Sequence, residues 1–234
     1  MENQFQIVGH KLCPYVQRVV ILAMEKEIPF SRVDIELHDK PPWLLKLSPA
    51  GKVPILIVDD EKVLFESNVI CEYLDIMSND SNDSIDSKPS LHPKGTFAKA
   101  RLLAWGEFGT DILNSIAKII YQDLTRESFE ETIIAIRNRL KIVEQEHSGA
   151  KYFAGESFHL IDIIYATLFR YFEVLELVTK ENILADLPRL SRWSRELAER
   201  RSVQRAVPEN YHELLREFIG DKESYLSSAF CRVL

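Results

Sequence analysis

Gly9-His10-Lys11-Leu12-Cys13-Pro14-Tyr15-Val16-Gln17-Arg18 decides the fold, because a short apolar strand hands over to an amphipathic helix here. The strand is Phe5-Gln6-Ile7-Val8, and the helix continues through Val19-Val20-Ile21-Leu22-Ala23-Met24. Pro14 suits a first helical position, since its missing N–H would have no partner inside the helix. Cys13 is then at or beside the N-cap, where free N–H groups and the positive end of the helix dipole favour the thiolate. That placement predicts a pKa below the free value of about 8.5. The bland alternative is a small apolar core residue, whose pKa would rise instead.

Outward from this stretch the hydrophobic period changes repeatedly. Phe30-Ser31-Arg32-Val33-Asp34-Ile35 alternates as a strand, and Pro41-Pro42-Trp43-Leu44-Leu45-Lys46-Leu47 suits a short helix opened by proline. Pro54-Ile55-Leu56-Ile57-Val58 reads as a buried strand, and Asp59-Asp60-Glu61 turns it into a second strand, Lys62-Val63-Leu64-Phe65. Ser67 has the character of an N-cap, with Val69, Ile70, Tyr73 and Leu74 following along a helical stripe. The order is that of a small α/β unit whose first crossover joins parallel strands.

Composition shifts sharply from Ser78 to Pro93, a stretch dominated by Ser, Asn and Asp, and this segment reads as a linker open to proteolysis. The expected division is 1–78, a linker over 79–93, and an all-helical part over 94–234. Helices are predicted near 94–120, 127–147, 160–177, 188–201 and 209–219, with Ile133, Ile136, Leu140 and Val143 forming a core stripe. No internal repeat is present.

The bulk composition narrows the function classes. Of 234 residues, 46% are apolar and 28% charged, and the net charge is −7. No basic run interleaved with aromatics points to nucleic acid. Met1-Glu2-Asn3-Gln4, polar and acidic, does not read as a signal peptide, and the longest apolar run, Val19 to Met24, is too short to span a bilayer. Cys13, Cys71 and Cys231 are too few and too scattered for a disulfide framework or a zinc site, so no metal is expected and a reducing cytoplasm is the natural setting.

Three further features suggest chemistry. Val53-Pro54 opens a buried strand, where proline is unusual unless it marks an edge, a first residue or a cis turn. Glu66-Ser67 begins a helix whose N-terminus suits a ligand carboxylate, with Glu66 available to an ammonium group. Lys40 follows the second strand and, taken alone, is a solvated lysine.

Together, Cys13-Pro14-Tyr15, Lys40-Pro41-Pro42-Trp43, Lys52-Val53-Pro54-Ile55 and Phe65 to Leu74 resemble the cysteine-containing glutathione transferases, most of all the omega class. The resemblance implies a thioredoxin-like α/β N-terminal domain joined to an all-α C-terminal domain. It implies that Cys13 forms a mixed disulfide with glutathione and that Tyr15 lies at the glutathione site. Val53, before a cis Pro54, would pair through its backbone with the cysteinyl unit. Glu66 and Ser67 would hold the γ-glutamyl end, and Lys40 the glycyl carboxylate. The second substrate would be a small electrophile or a protein mixed disulfide, in a pocket between the domains lined by Tyr165, Tyr171 and Tyr211. Ordinary packing explains those tyrosines equally well. A homodimer is also implied.

The chain has Val16 where a dithiol glutaredoxin-type site needs its second cysteine, so the chemistry is monothiol and a second glutathione releases the first. Conjugating transferases instead use tyrosine or serine to donate a hydrogen bond to bound glutathione thiolate, so reduction is expected over conjugation. The rival is a non-enzymatic regulator of the RNA polymerase-associated type, against which Cys13, Lys40 and Glu66-Ser67 stand together. Intracellular chloride channel relatives share the Cys-Pro start but lack the Glu-Ser pair. Gly155 to Asp162 resembles the family's helix-capping segment, with His159 where Ser or Thr is usual. Cys71, on the core stripe, is expected to be inert.

Overall fold

The first strand and helix form where the apolar pattern puts them, β1 over Phe5–Gly9 and α1 over Pro14–Glu25. The computed structural model describes residues 4–36, 39–79 and 88–230. Most of the proposed linker, including 80–87, and Cys231 lie outside the described residues. Next come β2 (Ser31–Asp34), α2 (Pro42–Leu47), β3 (Ile55–Val58), β4 (Lys62–Phe65) and α3 (Ser67–Asn79).

The four strands make one sheet in the order β2-β1-β3-β4. β1 and β2 are parallel, while β3 is antiparallel to β1 and to β4. Alternation along each strand divides the side chains between two faces. Val8, Ile35, Leu44 and Ile55 form a buried cluster beneath α2, joined by Val33, Leu47, Ile57 and Val63. Ile7, Leu56 and Val58, of the opposite phase, are also buried. α1 packs on β1 and α3, and every residue from Val16 to Ala23 is buried, so the helix is enclosed on all sides. The β3–β4 turn places Asp59 and Asp60 at φ of 54° and 59°, the left-handed pair that suits the twist of a tight hairpin. Aspartate tolerates this conformation better than most residues.

The remaining helices are α4 (Thr96–Tyr121), α5 (Arg126–Glu146), α6 (Leu160–Thr179), α7 (Pro188–Ala198), α8 (Arg201–Arg205), α9 (Tyr211–Gly220) and α10 (Tyr225–Phe230). The chain divides into two compact units, 1–91 with 201–209, and 92–200 with 210–234. In the first, Ser202 Oγ donates to Glu25, and Arg32 Nη1 donates to the Ala206 carbonyl at 3.2 Å. In the second, α6 packs on α4 and α7, and its start is organised by the fully buried Asp162. One Asp162 oxygen accepts from Phe153 N at 3.0 Å and Trp193 Nε1 at 2.8 Å, and the other from His159 N at 2.7 Å. The fold is thus a thioredoxin-like α/β unit with a four-stranded sheet and a helical unit.

The predicted helix over 188–201 is two pieces, α7 ending at Ala198 and α8 starting at Arg201. α10 was missed, because six residues with three buried apolar side chains carry too little periodicity. Among the described residues, no helix is long and apolar enough to cross a membrane.

Candidate active site

The strand registers bring the residues singled out in the sequence to one end of the sheet. Gly9 pairs with Asp34, Val8 with Ile55, and Ile55 with Phe65. The ends of β1, β2 and β4 and the start of β3 therefore share an edge. Cys13 follows β1, Lys40 follows β2, Val53-Pro54 precedes β3, and Glu66-Ser67 follows β4. Residues up to 54 positions apart (Cys13 to Ser67) are gathered by topology alone.

Cys13 is the N-cap of α1, with extended φ and ψ of −70° and 118°, and Pro14 is the first helical residue. Its carbonyl accepts the first helical bond from Gln17 N at 3.1 Å, and its own N–H donates to the His10 carbonyl at 3.0 Å. Inside the loop, Leu12 N donates to His10 Nδ1 at 3.3 Å and Gln17 Nε2 donates to the Leu12 carbonyl at 3.3 Å. A Cβ on Gly9 would meet both Val16 methyls at 2.5 Å, so glycine is what lets the helix begin so close to the strand.

Cys13 is a free thiol and half-buried. The expectation of a lowered pKa is corrected by its surroundings: burial pushes the thiol up from its ordinary value, outweighing everything that favours the thiolate. The opposing influences are the backbone N–H groups of Val16 and Tyr15, then the Arg18 and Arg32 cations. Those amides close no capping hydrogen bond. The residue retains accessible surface while its sulfur is desolvated, and the net direction is set at the sulfur. Cys71 is fully buried, and desolvation raises its thiol to about 12, so it is inert.

The Val53–Pro54 bond is cis. Ile70 N donates to the Glu66 carbonyl at 2.9 Å, so Glu66 is the capping residue of α3 and Ser67, expected as the N-cap, is its first helical residue. Glu66 has φ of 69°, a left-handed conformation uncommon for a side chain of this kind. Ser67 is buried and Glu66 and Lys40 are exposed, while Tyr15 is half-buried with its ring 4.7 Å from the Arg18 guanidinium carbon.

The three tyrosines expected to line an electrophile pocket belong to the core of the second unit. Tyr165 is fully buried, stacked among Phe153, Phe169 and Trp193, with its hydroxyl donating to the Trp105 carbonyl at 3.3 Å. Tyr171 and Tyr211 are buried too. Of the two readings offered by the sequence, packing is the one their surroundings favour. Arg18 was overlooked: beside Gln17 and before the apolar run Val19 to Met24 it has the pattern of an ordinary polar helix position, yet it lies inside the buried stretch Val16 to Ala23. Among the described residues, no group of three or more His, Cys, Asp or Glu is arranged to hold a metal.

Two family models match the chain: glutathione S-transferase N-terminal domain over residues 12–76, and glutathione S-transferase C-terminal domain over 117–201. Glutathione S-transferase U25 of Arabidopsis thaliana is 30% identical over 196 residues, covering 82% of this chain and 84% of its own. Glutathione S-transferase omega-1 of Mus musculus is 26% identical, covering 94% of this chain and 88% of its own. Among solved structures, a rice glutathione S-transferase in complex with glutathione superposes with a TM-score of 0.80 at 22% identity, covering 94% of this chain and 96% of its own.

Proposed function

This chain belongs to the glutathione S-transferase family, and from that premise we propose that it is a glutathione-dependent thiol transferase working through Cys13. The observation that carries the reading is the shared sheet end, where a helix-capping thiol, the Val53-Pro54 strand start and Glu66 at a second helix start occupy neighbouring strand ends. Glutathione offers two carboxylates, an ammonium and a thiol. Lys40 suits the glycyl carboxylate, the α3 N-terminus at Ser67 the γ-glutamyl carboxylate, and Glu66 the ammonium. The Val53 backbone is assigned to the cysteinyl unit, with Tyr15 beside it. No metal is required.

In this mechanism the Cys13 thiolate attacks the glutathionyl sulfur of a mixed disulfide, and the other thiol departs with the electron pair of the broken S–S bond. A second glutathione thiolate then attacks the Cys13-bound glutathionyl sulfur. Glutathione disulfide forms and Cys13 is regenerated. Because burial raises the thiol, turnover climbs with pH into the alkaline range as the thiolate fraction grows.

The same upward shift favours a second reading, conjugation, in which a neutral Cys13 thiol donates a hydrogen bond to glutathione thiolate. Cys13→Ser separates the two. Thiol transfer predicts loss of disulfide reduction, measured with a glutathionyl mixed disulfide, and no gain in conjugation of a chlorodinitrobenzene. Retained or improved conjugation by the serine variant would favour the second reading. The half-exposed Phe65, Val69 and Ile76, at 44%, 53% and 49%, form an apolar stripe on the first unit that suits a homodimer. A cytoplasmic setting agrees with the proposed free thiol.

A further inference from the structure

Arg18 is buried to 1% exposure in the middle of α1, where every neighbour from Val16 to Ala23 is also buried. A guanidinium loses most of its hydration on such burial, and a site that keeps one does so through specific contacts. Its guanidinium carbon lies over the Tyr15 ring at 4.7 Å from the centroid, a cation–π arrangement with the residue two positions after Cys13. Its Nη1 reaches Asn68 Oδ1 at 3.5 Å, the outer limit of a hydrogen bond. Asn68 is the second residue of α3, directly after Glu66 and Ser67.

We propose that Arg18 is a positioning residue of the glutathione site, tying the start of α1, which carries Cys13 and Tyr15, to the start of α3, which carries Glu66 and Ser67. The proposal rests on the reading of Cys13 as the reacting thiol. Arginine suits the task because one rigid fork stacks on an aromatic face while donating sideways, which a lysine point charge does not do. The same guanidinium places positive charge behind the sulfur. Arg18 acts on Cys13, where it opposes the effect of burial, and on Cys71 in α3. The other charged groups around these thiols are Arg32 of β2, which acts with Arg18 on Cys13, and Glu72 and Asp75 of α3, which oppose it at Cys71. His10 and Lys11 flank Cys13 in its own loop.

The test uses the full chain with Cys71 and Cys231 replaced, so that iodoacetamide reports Cys13 alone. In Arg18→Met the midpoint of the alkylation rate against pH moves up by about 1 unit, the smaller end of what a neighbouring cation ordinarily supplies. In Arg18→Lys the midpoint returns most of the way, but the dissociation constant for glutathione, measured by calorimetry, stays several-fold weaker than in the parent. A parent-like midpoint in Arg18→Met overturns the proposal, as does parent-like glutathione affinity in Arg18→Lys. Should Arg18→Met fail to fold, Asn68→Ala cuts the tie from the other side. It is expected to weaken glutathione binding several-fold with the Cys13 midpoint unchanged, and unaltered binding there overturns the proposal. A parent protein that binds no glutathione but shows the Arg18-dependent midpoint shift refutes the function assigned above and leaves the electrostatic role of Arg18 standing.

Discussion

At Glu66 the backbone holds a left-handed φ of 69° immediately before a helix, a conformation that costs on the order of 1–3 kcal/mol when not carried by glycine. A site that retains an exposed glutamate there, where glycine would be easier, invites a functional reason. Glu66→Gly is expected to leave the melting temperature unchanged or slightly higher, since relief of strain offsets the freer unfolded chain. Glutathione affinity should fall in the same variant, because the anion proposed to face the ammonium is gone. Calorimetry and thermal melts on one preparation check both, and a large drop in melting temperature would mean Glu66 is structural. His147 gives a second residue-scale test. It is buried, and burial together with the Arg192 and Arg189 cations lowers its pKa to about 4. Its Nδ1 accepts Gly149 N at 3.0 Å, so protonating that nitrogen also breaks a hydrogen bond. With an ordinary value of 6.5 in the unfolded chain, the unfolded state takes up the proton first. Stability is therefore present above pH 6.5 and lost as pH falls towards about 4. Burial raises Asp162 to about 7, which gives stability lost as pH rises and so opposes this trend. The comparison must be between parent and variant: His147→Gln should lose less melting temperature between pH 6.5 and 4.5 than the parent does. An identical slope would remove His147 from the account.

Between elements, a buried ion pair holds the first unit together where apolar packing runs out. Lys26, just past α1, lies 2.8 Å from Asp75 Oδ1 on α3, with both side chains at 2% exposure or less. The ammonium also donates to Asn79 Oδ1 and the Pro89 carbonyl at 2.9 Å, and reaches the Lys88 carbonyl at 3.4 Å. Asp75 completes its own shell with Ser90 Oγ at 2.7 Å and Leu91 N at 2.9 Å. Burial alone would raise the carboxyl, yet Lys26 and these donors hold it below its ordinary value. One pair of charges thus joins two helices to the strand of chain from Lys88 to Leu91. Asp75→Asn leaves Lys26 buried without its counter-charge, and a loss of about 3–5 kcal/mol is expected in urea unfolding. A loss below about 1 kcal/mol would show that water or a neighbouring group replaces the carboxylate. Elements of this kind were only half legible. β1, α1 and the β3–β4 hairpin announced themselves through period and turn residues, whereas Lys26 and Asp75 carry no local pattern that marks them as a pair. Nothing within a few residues of either shows that 49 positions of chain return to bring them together.

For the molecule as a whole, the order of elements was legible because each strand and long helix carries its own period. The grouping of 201–209 with the first unit was not. Its anchors are Val203, Ala206, Ser202 and a carbonyl, too few apolar residues for a pattern, and their partners Glu25 and Arg32 lie more than 170 residues away. The site shows the same division. Cys13, Val53, Glu66 and Ser67 could be picked out one by one, and the strand registers then placed the strand ends that carry them at one end of the sheet. Arg18, whose role lies in joining two helix starts, and the burial that raises the Cys13 thiol depend on packing that no local pattern expresses. The central claim is that this assembly exists to carry glutathione on Cys13. The most direct measurement treats the protein with glutathione disulfide and then finds the modified residue by mass spectrometry of the intact chain and its peptides. The expected result is one added glutathionyl group on Cys13, formed faster as pH rises and released by reduced glutathione, with none on Cys71. Glutathione that binds but leaves Cys13 unmodified up to pH 9, or modification that reduced glutathione cannot reverse, would contradict the account.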